Sequence, residues 1–308
     1  MNALYEQADE YLMIRRALGF KLRGHDRLLH DFVAFLDLND GPTITSALAL
    51  RWATQPVGLQ QVRWAQRLSA VRGFARHAHA LDQSVEVPPV DLLPCRRQRP
   101  VPYLYTSADL ARLVSACAPI QPAFRASTYE TFFGLLASTG MRVGEAIHLD
   151  TNDVDLTNGV IEINDAKFRK HRRLPLHPST VAALARYRTA RNERYPNPKA
   201  PAFFVSTRGT RLQDVNVHEV FRALVDSISL PTQPGAGTPM VHGMRHSFAV
   251  ATLRNWYRSG VDVNGKLPVL SAYLGHADPS STYWYLQACP ELLGLAAARL
   301  EQFENSAR

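Results

Sequence analysis

Cysteine is scarce in this chain. Its 308 residues include three, Cys95, Cys117 and Cys289, with no C-x-x-C pair. Such an odd, scattered set reads as reduced thiols in a cytoplasmic protein and excludes a disulfide framework. No apolar run reaches the ~18 residues of a membrane-spanning helix, and residues 1–7 have neither a basic nor an apolar leader region. Membrane insertion and secretion are therefore not expected. Internal repeats and low-complexity stretches are also missing. Acid is in short supply: 27 Asp and Glu against 35 Lys and Arg leave a net charge of +8 and a pI of about 9.6. That excess suits a polyanion, and with no membrane signal the better partner is nucleic acid. Hydrophobic residues at 46% and charged residues at 20% describe a globular chain and not a disordered one. Its length, about twice the usual domain, predicts two domains.

The first ~80 residues carry helical periodicity. Helices are expected over residues 4–18, ending at Gly19, and over 26–36, where Leu28, Leu29, Phe32 and Phe35 share a face. A short helix capped by Thr45 or Ser46 should run through Trp52. A long one over 58–81 carries Arg63, Arg67, Arg72 and Arg76 between its apolar positions. These arginines read either as a solvated face or as phosphate contacts. Residues 84–103 hold five prolines with Arg96, Arg97 and Arg99, so they form a linker whose charges run beside the polyanion. A helix follows with Ser107 as a plausible cap, then another over 129–137, broken at Thr139-Gly140 and resumed over 142–149. Strands are expected at 160–163 and 173–176. Between them lies a turn crowded with cations: Lys167, Arg169, Lys170, His171 and Arg172. Residues 179–195 read as helix and 203–205 as a short strand, and most of the remainder as helix.

The chemistry concentrates in the last third. His242 and Arg245 lie three apart at a helix start and share a face. Gly243 lets the backbone approach closely. Arg142 follows Gly140 at another helix start, and Glu145, one turn on, can hold its guanidinium. Two such arginines can grip the non-bridging oxygens of one phosphodiester, where phosphoryl transfer gathers negative charge. His242 and His246 at i, i+4 invite a zinc reading. The intervening Gly-Met-Arg lacks the glutamate of H-E-x-x-H, and Arg245 between the histidines would repel a metal.

These residues and their order resemble the tyrosine recombinase (phage integrase) family, in Xer-type or transposon-borne form. The boxes are Thr139-Gly-Met-Arg142-Val-Gly-Glu145, Lys167 in the hairpin turn, His242-Gly-Met-Arg245-His246, Leu274-Gly-His276, and Tyr285 nine residues after that histidine. The resemblance implies a mainly α catalytic domain with a small β-sheet (α+β). It also implies an all-α, SAM-like core-binding domain, the two forming a C-shaped clamp around DNA. The implied bounds are 1–85 for the core-binding domain, 86–103 for the linker and 104–308 for the catalytic domain. A C-terminal exchange helix over about 289–308 would dock on a neighbouring protomer.

The resemblance further implies the roles. Tyr285 attacks the scissile phosphate, giving a 3′-phosphotyrosyl link, and Arg142 and Arg245 neutralise the phosphorane. Lys167 is the general acid, His242 assists tyrosine deprotonation, and His276 donates a hydrogen bond to a phosphate oxygen. Glu145 supports, and His246 is structural. Tyr283 packs beside Trp284, since residues two apart on a helix point ~200° from each other. Arg169, Lys170 and Arg172 position phosphates, as do the arginines of the first domain and the linker. Cations supply the charge, so no cofactor, metal or ATP is expected. The expected partners are a double-stranded recombination site, further copies in a tetramer on DNA, and other recombinases of the same element. Three alternatives draw on the same residues: a non-catalytic DNA binder on this fold, a monomeric type IB topoisomerase, and a metal hydrolase.

Overall fold

The computed structural model describes residues 3–41, 43–93, 101–165, 170–197, 199–276, 278 and 280–306. The chain parts into two compact units between residues 99 and 100. The first unit holds four helices: α1 (Ala3–Ala17), α2 (His25–Leu38), α3 (Ser46–Thr54) and α4 (Gln61–Leu81). Leu29, Phe32, Val33 and Leu36 of α2 repeat at helical spacing and are fully buried. They meet Trp52 of α3, whose ring stands edge-on to Phe32 at 5.2 Å. Thr45 caps α3 by accepting from the Leu48 amide at 3.2 Å.

Two of the α4 arginines are turned inward. Arg67 lies over the Trp52 ring and donates to the Trp52 carbonyl at 3.1 Å. Arg72 is buried and donates to the carbonyls of Pro88 and Pro89 at 2.8 and 2.7 Å. Proline-rich backbone forms no ladder, so its carbonyls need outside donors. Arg72 supplies them, and this corrects its reading as a phosphate contact. Arg63 and Arg76 stay exposed. The segment expected to be linker is thus a strap on this unit over residues 85–93. Val85 is buried, and the Glu86 amide donates to the Ile44 carbonyl at 2.8 Å. Arg96, Arg97 and Arg99 lie outside the described residues.

The second unit already holds Tyr103, the last residue of the expected linker, in its core, as it does Tyr105. Its helices are α5 (Ser107–Ser115), α6 (Ala123–Thr139), α7 (Val143–His148), α8 (Pro178–Arg194), α9 (Asp214–Ile228), α10 (Val241–Arg258), α11 (Val263–Leu274), α12 (Ser280–Ala288) and α13 (Pro290–Ser306). The cap of α5 is Thr106, one residue before the expected Ser107, in a reciprocal capping box with Asp109. A three-stranded antiparallel sheet, β1 (Val154–Asp155), β2 (Val160–Asp165) and β3 (Lys170–Pro175), lies between α7 and α8 in the chain. The fold is mainly α with this one small sheet.

The register of the sheet sorts the cations of β3. Cross-strand partners share a face. Arg172 pairs with Ile163, which is buried, and Arg173 pairs with exposed Glu162, to which it forms an ion pair at 2.8 Å. Arg172 therefore points inward.

One further expectation differs from the structure. Residues 203–205 form no strand, only isolated bridges at Ala202 and Val205. Phe203 and Phe204 are both fully buried, so the apolar run fills the core on two sides. Asp262 caps α11, which runs through Pro268. Helix α13 docks on its own unit: Leu292 is buried, Glu291 pairs with Arg258 at 3.0 Å, and Arg299 donates to the Val261 carbonyl at 2.6 Å. No helix among the described residues is long and apolar enough to cross a membrane.

Candidate active site

The site forms where helix ends of the second unit converge. Helix α6 ends at Gly140, whose φ of +62° favours glycine. A Cβ there would also sit 2.6 Å from the Phe248 ring. This turn brings Arg142 to the N-cap of α7. The Arg142 amide donates to Glu145 Oε2 at 2.8 Å and its Nη1 to Oε1 at 2.7 Å, while Nη2 reaches the Gly275 carbonyl at 2.8 Å. Arg245, on the first turns of α10, is 3% exposed. Its Nη1 donates to the Gly140 carbonyl at 2.8 Å and its Nη2 to the Leu274 carbonyl at 2.7 Å.

Each guanidinium thus closes the C-terminal end of a neighbouring helix, where carbonyls lack partners and the helix dipole favours cations. Those bonds cross-tie three separate boxes, 139–145, 242–246 and 274–276. Burial pulls the Arg245 pKa down to about 10 and Arg142 adds to this, while Tyr285 and Glu145 hold it up. Arg245 therefore stays charged at neutral pH. Gly243 permits a close approach, but to the unit's own chain: a Cβ there would lie 2.9 Å from the Tyr103 carbonyl.

The histidines are shaped by this charge. Burial, then Arg245 and Arg142, lower the His242 pKa. Its outer edge meets solvent, which screens part of that field, and the downward direction leaves it neutral at pH 7. For His276, burial and then Arg245, Arg142, His242 and Arg172 lower the pKa to about 4. Its Nδ1 is 2.7 Å from the Thr282 hydroxyl, which leaves Nε2 to face other partners.

Helix α12 separates the two tyrosines by burial. Tyr285 is 2% exposed and Tyr283 is 49% exposed. Thr282 is buried too, one turn before Tyr285 on the same face. Tyr283 points away to solvent and was expected to pack beside Trp284. The Tyr285 hydroxyl lies 3.1 Å from Nδ1 of His246. The His246 ring also stands edge-on to His242, at 4.6 Å between centroids. Sequence reasoning missed Thr282, and it gave His246 only a supporting, structural role. The signal for Thr282 was the i, i+3 spacing to Tyr285.

Arg172 joins the site from below. Its Nη1 and Nη2 bond Glu145 at 3.1 and 2.7 Å, and its Nε donates to the Tyr273 carbonyl at 3.0 Å. It therefore buttresses Glu145, which corrects its reading as a phosphate contact. Lys167 and Arg169 lie outside the described residues. For Lys170, the backbone is placed in β3.

Glu145 carries two guanidiniums. Burial raises its pKa, but the bonds from Arg172 and Arg142 outweigh that, and the net shift is downward. A carboxylate with a depressed folded pKa contributes stability that is present above its unfolded pKa, ~4.3, and lost as pH falls through the folded value. Removing it leaves two cations half-buried without their anion, which costs about 3–5 kcal/mol. Glu145→Ala is expected to lower the unfolding midpoint by about 10 °C at pH 7. The gap should narrow as pH falls below 4. A midpoint within 2–3 °C of wild type at pH 7 would contradict this.

Comparison with known proteins gives a family, relatives and a fold. The family described as "Phage integrase family" matches residues 105–291. The chain is 43% identical to the "Putative integrase/recombinase y4rB" of Sinorhizobium fredii, over 98% of each chain. It is 26% identical to a tyrosine recombinase XerC of Thermodesulfovibrio yellowstonii, covering 74% of this chain and 72% of that one. In fold it resembles the XerH site-specific recombinase in a post-cleavage complex with palindromic difH substrate. There the TM-score is 0.68 at 18% identity, covering 91% of this chain and 80% of the other.

Proposed function

Because the chain belongs to the phage integrase family, the tyrosine recombinases of site-specific DNA recombination, we propose that it cuts and rejoins duplex DNA with Tyr285 as nucleophile. The observation that carries this reading is convergence. Five segments far apart in the chain bring Arg142, Arg172, Arg245, His242, His276 and Tyr285 to one site. A phosphodiester between Arg142 and Arg245 would meet fixed cations on two sides, and His242 and His276, neutral at pH 7, can donate hydrogen bonds to its oxygens. Attack by the Tyr285 oxygen forms a Tyr–O–P ester at the 3′ side and releases the 5′-oxygen, which takes its proton from Lys167. One ester replaces another, so the step is near isoenergetic and reversible and calls for neither ATP nor a metal.

Strand exchange would proceed through a four-way (Holliday) junction held by four copies on DNA, in the cytoplasm. Helix α13, which packs on its own unit in the single chain, would move to a neighbouring copy in that assembly. In the first unit, Arg63 and Arg76 keep the exposure that phosphate contacts need.

The test uses a nicked suicide duplex built from DNA flanking the gene. The expected result is a denaturant-resistant protein–DNA adduct, undiminished in excess EDTA and without ATP. Tight, specific binding with no adduct would overturn the reading in favour of a non-catalytic binder, and loss of the adduct in EDTA would favour a metal hydrolase.

A further inference from the structure

Within that reading, we propose that His246 is a catalytic residue: it orients the Tyr285 hydroxyl and takes its proton as the tyrosine attacks. The resemblance to the family assigns that task to His242 and leaves His246 structural, but the hydrogen bond falls on His246. Its Nδ1 is 3.1 Å from the Tyr285 oxygen, inside the reach a general base needs. The two rings lie 5.4 Å apart, edge to face, and Trp284 stands 5.4 Å from the same imidazole. His246 is thus held between its own helix and α12, in contact with Trp284 and Tyr285. Among the described residues, His242 makes no hydrogen bond to Tyr285. Its ring meets His246 edge-on, one turn earlier on α10. His242 is left to the phosphate oxygens, beside Arg245 and Arg142.

The step balances. The Tyr285 O–H bond breaks, its proton passes to Nδ1 of His246, the new Tyr–O–P bond forms, and the P–O5′ bond breaks. The departing 5′-oxygen takes a proton from Lys167; in rejoining, the 5′-hydroxyl attacks and gives that proton back to Lys167, while the proton on His246 returns to the leaving Tyr285 oxygen, so there is no net change. The tautomer required has its proton on Nε2. Among the described residues, titratable or charged groups near His246 include His242 and Arg245 on α10 and Tyr285 on α12. Arg142 acts electrostatically on Arg245, and the His276 ring lies 6.2 Å from that of Tyr285. Cations nearby favour the phenolate, and a base at bonding distance removes the proton without waiting for bulk hydroxide.

The experiment is single-turnover cleavage of the suicide duplex from pH 6.5 to 9.5. Wild type is compared with His246→Ala, His246→Asn and Tyr285→Phe, with folding followed by circular dichroism and DNA binding by gel shift. Asparagine keeps a polar atom near Nδ1 but accepts no proton at these pH values. We expect both His246 variants to bind DNA as wild type does. His246→Ala should cleave about 100-fold more slowly and His246→Asn at least 10-fold more slowly. Their rates should climb steadily with pH where the wild-type rate levels off. If His246→Ala fails to fold, His246→Asn decides alone. Wild-type rate and pH profile in the folded variant would overturn the proposal. If wild type itself forms no adduct, or Tyr285→Phe still does, the reading of Tyr285 as nucleophile fails instead.

Discussion

Tyr285→Phe is expected to abolish adduct formation on the suicide duplex, while Tyr283→Phe cleaves at the wild-type rate. The substitution removes one oxygen and leaves the ring, so packing against Trp284 and His246 survives. DNA binding and the unfolding midpoint should change little. The tyrosines differ in placement, not in chemistry. Tyr285 lies buried against His246 and His276, and its presence holds the Arg245 pKa up, whereas Tyr283 faces solvent. A phenol of ordinary pKa, near 10, needs such neighbours to attack at neutral pH. Cleavage surviving in Tyr285→Phe and lost in Tyr283→Phe would reverse the assignment.

Arg245→Lys should lower the cleavage rate about 1,000-fold with site binding nearly unchanged. Removing one preorganised donor to developing charge costs 10²–10³ in rate, and lysine loses more than one. The guanidinium spans two carbonyls, Gly140 at 2.8 Å and Leu274 at 2.7 Å, and its remaining donors are aimed by those bonds. A lysine ammonium is a point charge that cannot bridge both carbonyls and face a phosphate together. One buried carbonyl is then left without a donor, at about 1–3 kcal/mol, so the variant should also unfold a few degrees lower. Cleavage within threefold of wild type would show that positive charge alone suffices there.

Much of this architecture could be read from residue spacing. The helices over 4–18 and 26–36 follow apolar periodicity, and Gly140 marks the break that presents Arg142. What could not be read depended on partners far along the chain. Arg72 has the same local pattern as Arg76, but the carbonyls of Pro88 and Pro89 draw it inward. Arg172 sits in a run of cations, and only the pairing of β3 with β2 turns it toward Glu145. The apolar residues 203–205 look like a strand because two-sided burial and strand pairing leave the same mark in composition. Pro268 leaves its helix intact. The residue lies beyond the first turn of α11, and the Asp262 cap starts that helix regardless. His246 reads from the sequence only as a structural support, because its partner, Tyr285, is 39 residues away on another helix.

The central claim is that this chain joins DNA to itself through Tyr285. The most direct measurement is to isolate the denaturant-resistant adduct, trim it with protease and nuclease, and locate the nucleotide by fragment-ion mass spectrometry. The account predicts a 3′-phosphate ester on Tyr285. A nucleotide on Tyr283 or on any other residue, or cleaved DNA with no covalently modified peptide, would contradict it.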